Sequence, residues 1–415
     1  MAKFWRKQVL LAKTEVSYGV DPTPTGEANA ILATQVSLTP MDGQDIDRQL
    51  NQAWLGRSDT IPDQLTMAMD FRVELAGSGS GGTAPAWAPL LKACRFSETV
   101  LSSTGENTIA PEYQEVGNPT GNFTYVADDP YVGHRGRTVT LECTTAGGSG
   151  TAKFTVSAPA DGAVAAYNQT DVTMTDATPF ALGGGATIIP TVGTSFAQGD
   201  KFTIALEPAR VEYAPNSGEA HDSVTLYFYL DGHLFKGLGC RGNVRFLIER
   251  GIPYMNFQMR GLFSPASDSA LPPADVTDFM TPRPTGKAYT ALTIDSVALT
   301  VERFEVDMAN AVESRFLVNS EQILVGDRTP TGTLVCEAVP LSTLNPFQRA
   351  TANPKTRGVL SLIHGTETGN IVDIDCPSVA FGRTAVGESQ RIVTWTIPLE
   401  ILPVAGDDEL VVTVK

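Results

Sequence analysis

Two carboxylates that stand one residue apart are the nearest approach to a catalytic pair in this sequence. They occur in Asp373-Ile374-Asp375, where apolar neighbours indicate a β-strand, and a strand carries residues i and i+2 on one face. Paired acids act in general acid–base catalysis when a cleft holds them around a substrate. The surrounding sequence indicates no such cleft, so we interpret Asp373 and Asp375 as an exposed acidic face.

The other residue types that carry chemistry are dispersed. His134, His221, His233 and His364 are far apart in sequence and fall in turns or beside strands, which favours neither a metal site nor a catalytic triad. The glycine-rich stretch 77–82 lacks the Gly-Lys-Ser/Thr ending of a phosphate-binding loop, and a Gly-x-Ser-x-Gly elbow is absent. We therefore predict no enzyme activity, no cofactor and no metal, and interpret 77–82 as a flexible connector.

The cysteines and the short apolar runs indicate in which cellular compartment the protein assembles. The chain has five cysteines and no Cys-x-x-Cys pair, so we interpret them as reduced thiols packed mostly in cores: Cys94, Cys143, Cys240, Cys336 and Cys376. No apolar run approaches the roughly 20 residues of a membrane helix, and the apolar stretch near the start is too short for a signal peptide. We expect no membrane partner and assembly in the cytoplasm.

The composition indicates a β-rich protein with more than one domain. Of 415 residues, 42% are hydrophobic and 18% are charged, so the chain can bury sizeable cores. The many turn-forming residues, 38 glycines and 27 prolines, divide short apolar segments and favour strands. A net charge of −16 argues against tight binding of nucleic acid and is compatible with a surface that repels it.

The most informative pattern is an internal repeat. Val36-Ser-Leu-Thr-Pro40 is similar to Val297-Ala-Leu-Thr-Val301, and each is a short strand that leads into a polar, acidic stretch. In the first copy, apolar and polar residues then alternate from Leu65 to Leu75, as in a half-buried strand. The corresponding strand of the second copy is predicted from Gly332 to Leu341.

A short helix and a closing sheet follow in both copies. The first helix is predicted from Pro85, with Trp87 and Leu91 at helical spacing, and the second starts at the N-cap Asn345 followed by Pro346. Three or four strands then complete each copy. We predict them at 224–230, 240–248 and 255–259 in the first copy and at 359–363, 372–381 and 393–399 in the second, with a turn at 382–387.

The copies differ between the helix and the closing strands. A few residues separate them in the second copy, whereas the first copy has a long stretch of strand-like segments and glycine-rich turns. This stretch predicts an inserted immunoglobulin-like β-sandwich. We assign a first unit to residues 1–132 and 214–263, the insertion to 133–213, a proline-rich linker to 264–287 and a second unit to 288–415.

The start of the chain carries a further motif. Residues 4–31 contain the pattern Lys-Thr-Glu-x-x-Tyr-Gly-x-Asp-Pro-x-Pro at 13–24. With this motif and the repeated order of strand, long loop, strand, helix and sheet, the chain resembles the major tail tube proteins of Mu-like transposable siphophages, of the type with a duplicated unit. In that family the N-terminal stretch is expected to bring an arm onto the assembly.

The resemblance implies a fold and an assembly. The fold would be mainly β, with two tandem tail-tube-type units, each a β-sandwich or half-barrel with one short helix. Six such units form a ring whose inner strands make a continuous barrel, so three chains would form one trimeric, pseudo-hexameric ring. Stacked rings would enclose an acidic lumen for DNA passage during genome ejection, and the insertion would project outward.

The resemblance also implies the partners. These are further copies of the chain, tail terminator and tail-tip proteins, and the tape measure protein and DNA, which occupy the lumen without specific binding. The protein would be part of the virion tail after assembly in the host cytoplasm.

Two long polar segments, 41–62 and 302–331, are interpreted as loops that order on contact between rings. Their charged residues are the candidates for inter-ring contacts: Asp42, Asp45, Asp47, Arg48, Arg57, Arg315 and Arg328. For Asp45, Asp47, Arg48 and Arg57, a solvated loop without such contacts is the alternative interpretation. Asp373 and Asp375 are the candidates for the lumen.

A different class of function remains open. Tail-tip adhesins and carbohydrate-binding modules also string β domains together, and they present aromatic clusters on exposed loops. Most aromatic residues here alternate within predicted strands, which favours the tail tube interpretation.

Overall fold

The computed structural model describes residues 3–109, 122–133, 135–161, 164–191 and 196–415, so His134 lies outside the described residues. These residues form 28 strands and two short helices, in agreement with the β-rich fold predicted from composition. Neither helix in the described ranges is long and apolar enough to cross a membrane.

The chain begins with strands that end at a first helix. They are β1 (Gln8–Thr14), β2 (Ala30–Ile31), β3 (Ala33–Asp47) and β4 (Thr60–Glu74), followed by helix α1 (Ala88–Ala93) and β5 (Phe96–Leu101). The predicted alternation from Leu65 to Leu75 is confirmed, because Met67, Met69, Phe71 and Val73 of β4 are buried. Pro85 precedes the helix rather than opening its first turn.

Eight strands then form two small sheets around a separate core. They are β6 (Thr104–Ile109), β7 (Asn122–Tyr125), β8 (Arg137–Thr145), β9 (Lys153–Ala158), β10 (Tyr167–Thr173), β11 (Phe180–Gly183), β12 (Ala186–Thr191) and β13 (Lys201–Glu207). The sheet orders are β10-β9-β8-β13-β6 and β11-β12-β7. The core is centred on four aromatic rings in mutual contact, those of Phe123, Phe154, Phe196 and Phe202.

The chain then returns to the large sheet. The returning strands are β14 (Arg210–Pro215), β15 (Val224–Leu230), β16 (His233–Glu249) and β17 (Tyr254–Asp268). Strand β14 pairs with β5, and its residue Arg210 lies opposite Leu101. The chain therefore leaves the large sheet after β5 and returns to it in β14, at adjacent positions.

The second half of the chain holds the remaining strands. They are β18 (Thr290–Ile294), β19 (Val297–Ala298), β20 (Val301–Asp307), β21 (Asn310–Leu317), β22 (Ser320–Arg328), β23 (Thr331–Glu337), helix α2 (Pro346–Thr351), β24 (Arg357–His364), β25 (Val372–Phe381), β26 (Ala385–Ser389), β27 (Ile392–Ile401) and β28 (Val411–Val414). The predicted N-cap is confirmed, because Asn345 Oδ1 accepts a hydrogen bond from the Gln348 N–H at 3.0 Å.

The antiparallel pairing follows the same order in both halves. In the first half it runs β1-β15-β16-β17-β4-β3. In the second half it runs β18-β24-β25-β27-β23-β20. In each half the short helix follows the fifth strand of this order, β4 or β23, along the chain.

One continuous apolar core joins the two halves. It includes Phe71 and Phe257 from the first half and Phe304, Phe381 and Trp395 from the second. Strand alternation explains why these residues point inward while polar neighbours point outward. Because the core is shared, the two halves pack as one body rather than as separate domains on a tether.

The proline-rich segment between the halves is tied down along its length. Val276 packs on a small apolar cluster beside β15, and Phe279 packs on the main core. The Asp275 N–H donates to the Gly26 carbonyl at 2.9 Å. A Cβ at Gly26 would lie 1.9 Å from the Pro273 carbonyl oxygen, so glycine permits this close crossing. The segment between the halves is therefore packed against the rest of the chain.

The glycine-rich connector 77–82 also differs from the expectation of flexibility. The Gly77 N–H donates to Asn370 Oδ1 at 2.9 Å, and the Gly79 N–H donates to the Gly369 carbonyl at 2.8 Å. A Cβ at Gly77 would lie 2.0 Å from the Gly369 carbonyl oxygen, so glycine at this position lets the stretch run directly beside a turn of the second half.

Two other expectations differ from the structure. Residues 385–389 form strand β26, so the turn predicted at 382–387 is wrong and the chain reverses after Ser389 instead. Most of segment 302–331 forms strands β20, β21 and β22 rather than a loop, whereas segment 41–62 is paired only at its ends, in 41–47 and 60–62. The strand pairing places β6 and β7 with the two small sheets and β14 with the large sheet, which favours edges of the insertion near 104 and 207. The division of the chain into units stays a prediction.

Candidate functional site

A seam of paired strands joins the two halves. Residues 245–249 of β16 pair with residues 303–307 of β20, while the other edge of β16 pairs with β17. Side chains reinforce the seam, because Arg245 forms ion pairs with Glu305 at 2.9 Å and with Asp307 at 2.8 Å. Asn243 donates to Asp307 Oδ1 at 2.7 Å and accepts from the Asn310 N–H at 3.0 Å.

The seam makes one long ladder out of strands from both halves. Its order is β3-β4-β17-β16-β20-β23-β27-β26, and we call it the long ladder. Over the described parts of the chain, β3 pairs only with β4 and β26 pairs only with β27. Each end of the long ladder therefore has an unpaired strand edge, which readily pairs with another chain.

Residues 213–412 match the family model of phage tail tube proteins. This match supports a phage tail tube protein. It starts in β14, includes both flanks of the seam and covers slightly less than half of the chain. It points to a structural component of the virion tail rather than to an enzyme. No curated protein matches the chain.

The first hairpin, β3–β4, ends in an exposed apolar tip. Strands β3 and β4 pair as far as Asp47 and Thr60, and residues 48–59 connect them. Trp54 is 71% exposed and Leu55 is fully exposed at this tip. Large apolar side chains that face water indicate a contact surface. Sequence reasoning selected only charged residues here, although Trp54-Leu55 within a polar segment was the available signal.

The second hairpin, β21–β22, is held against the first half by the N-terminal motif. The Tyr18 hydroxyl accepts a hydrogen bond from the Ile323 N–H at 2.5 Å, and Arg241 Nη1 donates to the Ile323 carbonyl at 2.8 Å. The Arg241 guanidinium also lies 4.6 Å from the centre of the Tyr18 ring. Burial is the main cause that raises the pKa of Tyr18, so its hydroxyl keeps its proton.

Glu15 of the same motif is a buried acceptor. Its carboxylate accepts from the Ser223 hydroxyl at 2.7 Å, the Thr225 hydroxyl at 2.6 Å, and the N–H groups of Gly19 and Gly239 at 2.7 Å each. The motif therefore fixes contacts within the chain. Residues 13–24 pack against β15, β16 and the second hairpin, and the assembly arm expected from the resemblance stays a prediction.

The charged inter-ring candidates lie on or beside the two hairpins. Asp42, Asp45 and Asp47 are on β3, Arg48 and Arg57 are in the connection, Arg315 is on β21 and Arg328 ends β22. Asp42 pairs with Arg260 at 3.3 Å. Arg328 is committed within the chain, because it pairs with Asp407 at 2.5 Å and with Glu409. Their role between rings stays a prediction.

Asp373 and Asp375 do not form the fully exposed acidic face that their sequence predicts. Asp373 is 4% exposed and forms an ion pair with Lys415 at 2.6 Å. Burial raises the pKa of Asp373, and Lys415 counteracts part of that effect. Asp375 is half-buried and lines a cavity of about 450 Å³ between the inserted sheets and the large sheet. Asp373 is therefore shielded from solvent whereas Asp375 stays partly exposed, and the lumen assignment of both stays a prediction.

The remaining chemistry-bearing residues are separate in space as well as in sequence. All five cysteines are free and buried. His364 is buried beside the Thr290 hydroxyl, whereas His233 lies near Asp268. Across the described ranges, no group of three or more His, Cys, Asp or Glu side chains could hold a metal ion.

Proposed function

We propose that this chain is the subunit of a phage tail tube and that it carries two copies of one tube unit. Three chains would form a trimeric, pseudo-hexameric ring, and stacked rings would form the tube of a Mu-like siphophage. The matching order of strand pairing in the two halves supports the duplication.

The long ladder with two unpaired ends is the observation that carries this proposal. Within the chain, the seam joins β16 of the first half to β20 of the second. In the order of strand pairing, β3 of the first half corresponds to β20 of the second half. The part of β16 that forms the seam corresponds, in the second half, to β26 and the residues just before it. The same seam can therefore repeat between chains, with β3 of one chain on β26 of the next.

Closing the ladders of three chains into a barrel would leave no strand edge unpaired. The polar face of the ladder would then surround the lumen, through which DNA passes during genome ejection. The tape measure protein would occupy the same lumen, and tail terminator and tail-tip proteins would bind the ends of the tube.

The two hairpins fit contacts between rings. Stacking of rings is a heterologous contact, so it extends without closing and produces a tube. The inserted sheets, proposed here as an immunoglobulin-like domain, join the body at one edge through β5 and β14. They would project outward, and assembly would take place in the host cytoplasm.

Electron microscopy of the purified chain tests the proposal. We expect rings or tubes in negative stain, with threefold or pseudo-sixfold symmetry in end-on views. A chain that stays monomeric at high concentration and binds glycans on an array would instead identify a tail-tip adhesin or carbohydrate-binding protein. Sixfold rings built from six chains, measured by native mass spectrometry, would reject the duplicated-unit part of the proposal.

A further inference from the structure

The polar face of the long ladder carries four arginines. Arg72 on β4, Arg245 on β16, Arg260 on β17 and Arg303 on β20 each alternate with buried core residues, so they point away from the core. The side chains of Arg245, Arg260 and Arg303 are between 40% and 47% exposed. Within an acidic chain, these are cations that a passing polyanion would meet.

Three of these arginines are held by carboxylates on the same face. Glu305 pairs with both Arg245, at 2.9 Å, and Arg303. Asp307 pairs with Arg245 at 2.8 Å, and Asp42 pairs with Arg260 at 3.3 Å. The side chains of Glu305 and Asp307 are only 15% and 21% exposed, so the carboxylates lie deeper than the guanidinium groups they hold.

The fourth arginine has acidic neighbours on its own strand. Arg72 lies between Asp70 and Glu74, two residues to either side and therefore on the same face of β4. Asp70, Arg72, Arg245 and Gln258 line one shallow groove on this face, with a volume of about 290 Å³. The face therefore mixes both signs of charge at close range.

We propose that these carboxylates keep the arginines from binding the phosphates of nucleic acid that slides along this face. The inference rests on the proposed tube function. An unpaired guanidinium binds a phosphate through two parallel hydrogen bonds, and each such contact strengthens nucleic-acid binding. A guanidinium whose donors already bind a carboxylate offers fewer donors, and the ion pair as a whole carries no net charge, so a polyanion slides past it.

Asp307 is built to stay ionised in this role. Burial alone would raise its pKa, but the Asn243 amide, the Ala309 N–H and Arg245 all donate to its carboxylate. Together these donors hold the pKa of Asp307 below its ordinary value. The negative charge beside Arg245 is therefore present throughout the neutral pH range.

The test releases the arginines and measures binding to DNA. In the E305Q/D307N variant, Arg245 and Arg303 lose their charged partners while the side-chain shapes are kept. Fluorescence polarisation with a short labelled DNA duplex at low salt should show affinity at least about tenfold above that of the original chain, and salt should weaken it steeply. The matched control is D128N/D129N, which removes two exposed carboxylates from the inserted sheets and should leave binding unchanged.

Two further variants keep the test decisive. Adding R245Q and R303Q to E305Q/D307N should abolish the gained binding. The D42N variant removes the charged partner of Arg260, which lies away from the seam, and it should show a smaller gain in DNA affinity. This variant keeps the inference testable even where E305Q/D307N fails to fold. Folded variants that bind no better than D128N/D129N would overturn the inference. Rings and tubes are scored separately by electron microscopy, so failure of this inference and failure of the tube function give different results.

Discussion

At the scale of single residues, Glu15 shows how one carboxylate stabilises a junction between distant segments. Four donors converge on it, from Gly19, Ser223, Thr225 and Gly239. Replacing Glu15 with Ala leaves these buried donors without an acceptor, and each buried unsatisfied group costs about 1–3 kcal/mol. We expect Glu15→Ala to lower the free energy of unfolding by at least about 3 kcal/mol, as measured by denaturant unfolding.

Glu27→Ala is the matched control for this prediction, because Glu27 is exposed and lies in the same N-terminal segment. Its free energy of unfolding should stay within about 0.5 kcal/mol of the original value. Equal stability of the Glu15→Ala and Glu27→Ala variants would contradict the role of Glu15 as a buried acceptor.

The lowered pKa of Asp307 predicts that the stability of the chain depends on pH. Its pKa is held below the ordinary value in the folded chain, so below about pH 4 the unfolded chain takes up its proton first. The stability that Asp307 contributes is present above that pH and is lost as the pH falls through the lowered pKa. Denaturant unfolding across this acid range should show a shallower loss of stability for D307N than for the original chain. Parallel curves for the two proteins would argue against an ionised Asp307 in the seam.

At the scale of elements, the two hairpins differ in how they are supported. Contacts from Tyr18 and Arg241 hold the second hairpin, whereas the tip of the first hairpin exposes Trp54 and Leu55. The W54S/L55S variant should keep the thermal unfolding midpoint of the isolated chain, because neither side chain packs within it. It should lose tube formation, because large exposed aromatic and aliphatic residues anchor interfaces.

The control for the hairpin tip is Val132→Ser. Val132 is 48% exposed on the inserted sheets, away from both hairpins. This variant should form tubes like the original chain when both are followed by sedimentation and electron microscopy. Tubes of normal length from W54S/L55S would show that the first hairpin does not join rings.

Elements with one buried face were predictable, and elements with two exposed faces were not. Strand β4 and the cap at Asn345 follow from alternation and from side-chain chemistry that the sequence displays directly. Strand β26 and the outer part of β3 are exposed on both faces, so their sequences carry no alternation and resemble turns and loops. Glu15 was recognised only as part of a motif, because three of its four donors come from positions over 200 residues away.

At the scale of the whole molecule, the edges of the insertion follow from strand pairing, which sequence cannot display. Arg210 and Leu101 are paired neighbours in β14 and β5. Deleting residues 103–208 and joining Ser102 to Ala209 through an Asn-Gly turn should therefore form a simple hairpin. We expect this shortened chain to fold and to form tubes that are narrower in electron micrographs.

Deleting residues 133–212 is the informative comparison. That deletion removes Val211, which is fully buried in the main core, and leaves β6 and β7 without their partners β13 and β12. We expect it to aggregate or to unfold at a much lower temperature. If both deletions assemble equally well, the edges near 104 and 207 are not the structural ones.

Cross-linking between chains tests the repeat of the seam. Ser37 on β3 and Ala385 on β26 are both exposed and stand at opposite ends of the long ladder, about 34 Å apart at the spacing of paired strands. The five native cysteines are buried, so a short bismaleimide should react only with thiols introduced at these positions. The S37C/A385C variant, assembled and then cross-linked, should give covalent dimers and trimers on a denaturing gel.

The number of chains that become covalently linked distinguishes a closed ring from an open filament. A closed ring of three chains stops at covalent trimers, whereas an open filament of seams gives a continuing series of larger species. Pairing S37C with D128C instead should give no links, because residue 128 lies on the inserted sheets that the proposed ring places outside. Links that stop at six chains would indicate one tube unit per chain, and their absence from intact tubes would place the ring contact elsewhere than β3 and β26.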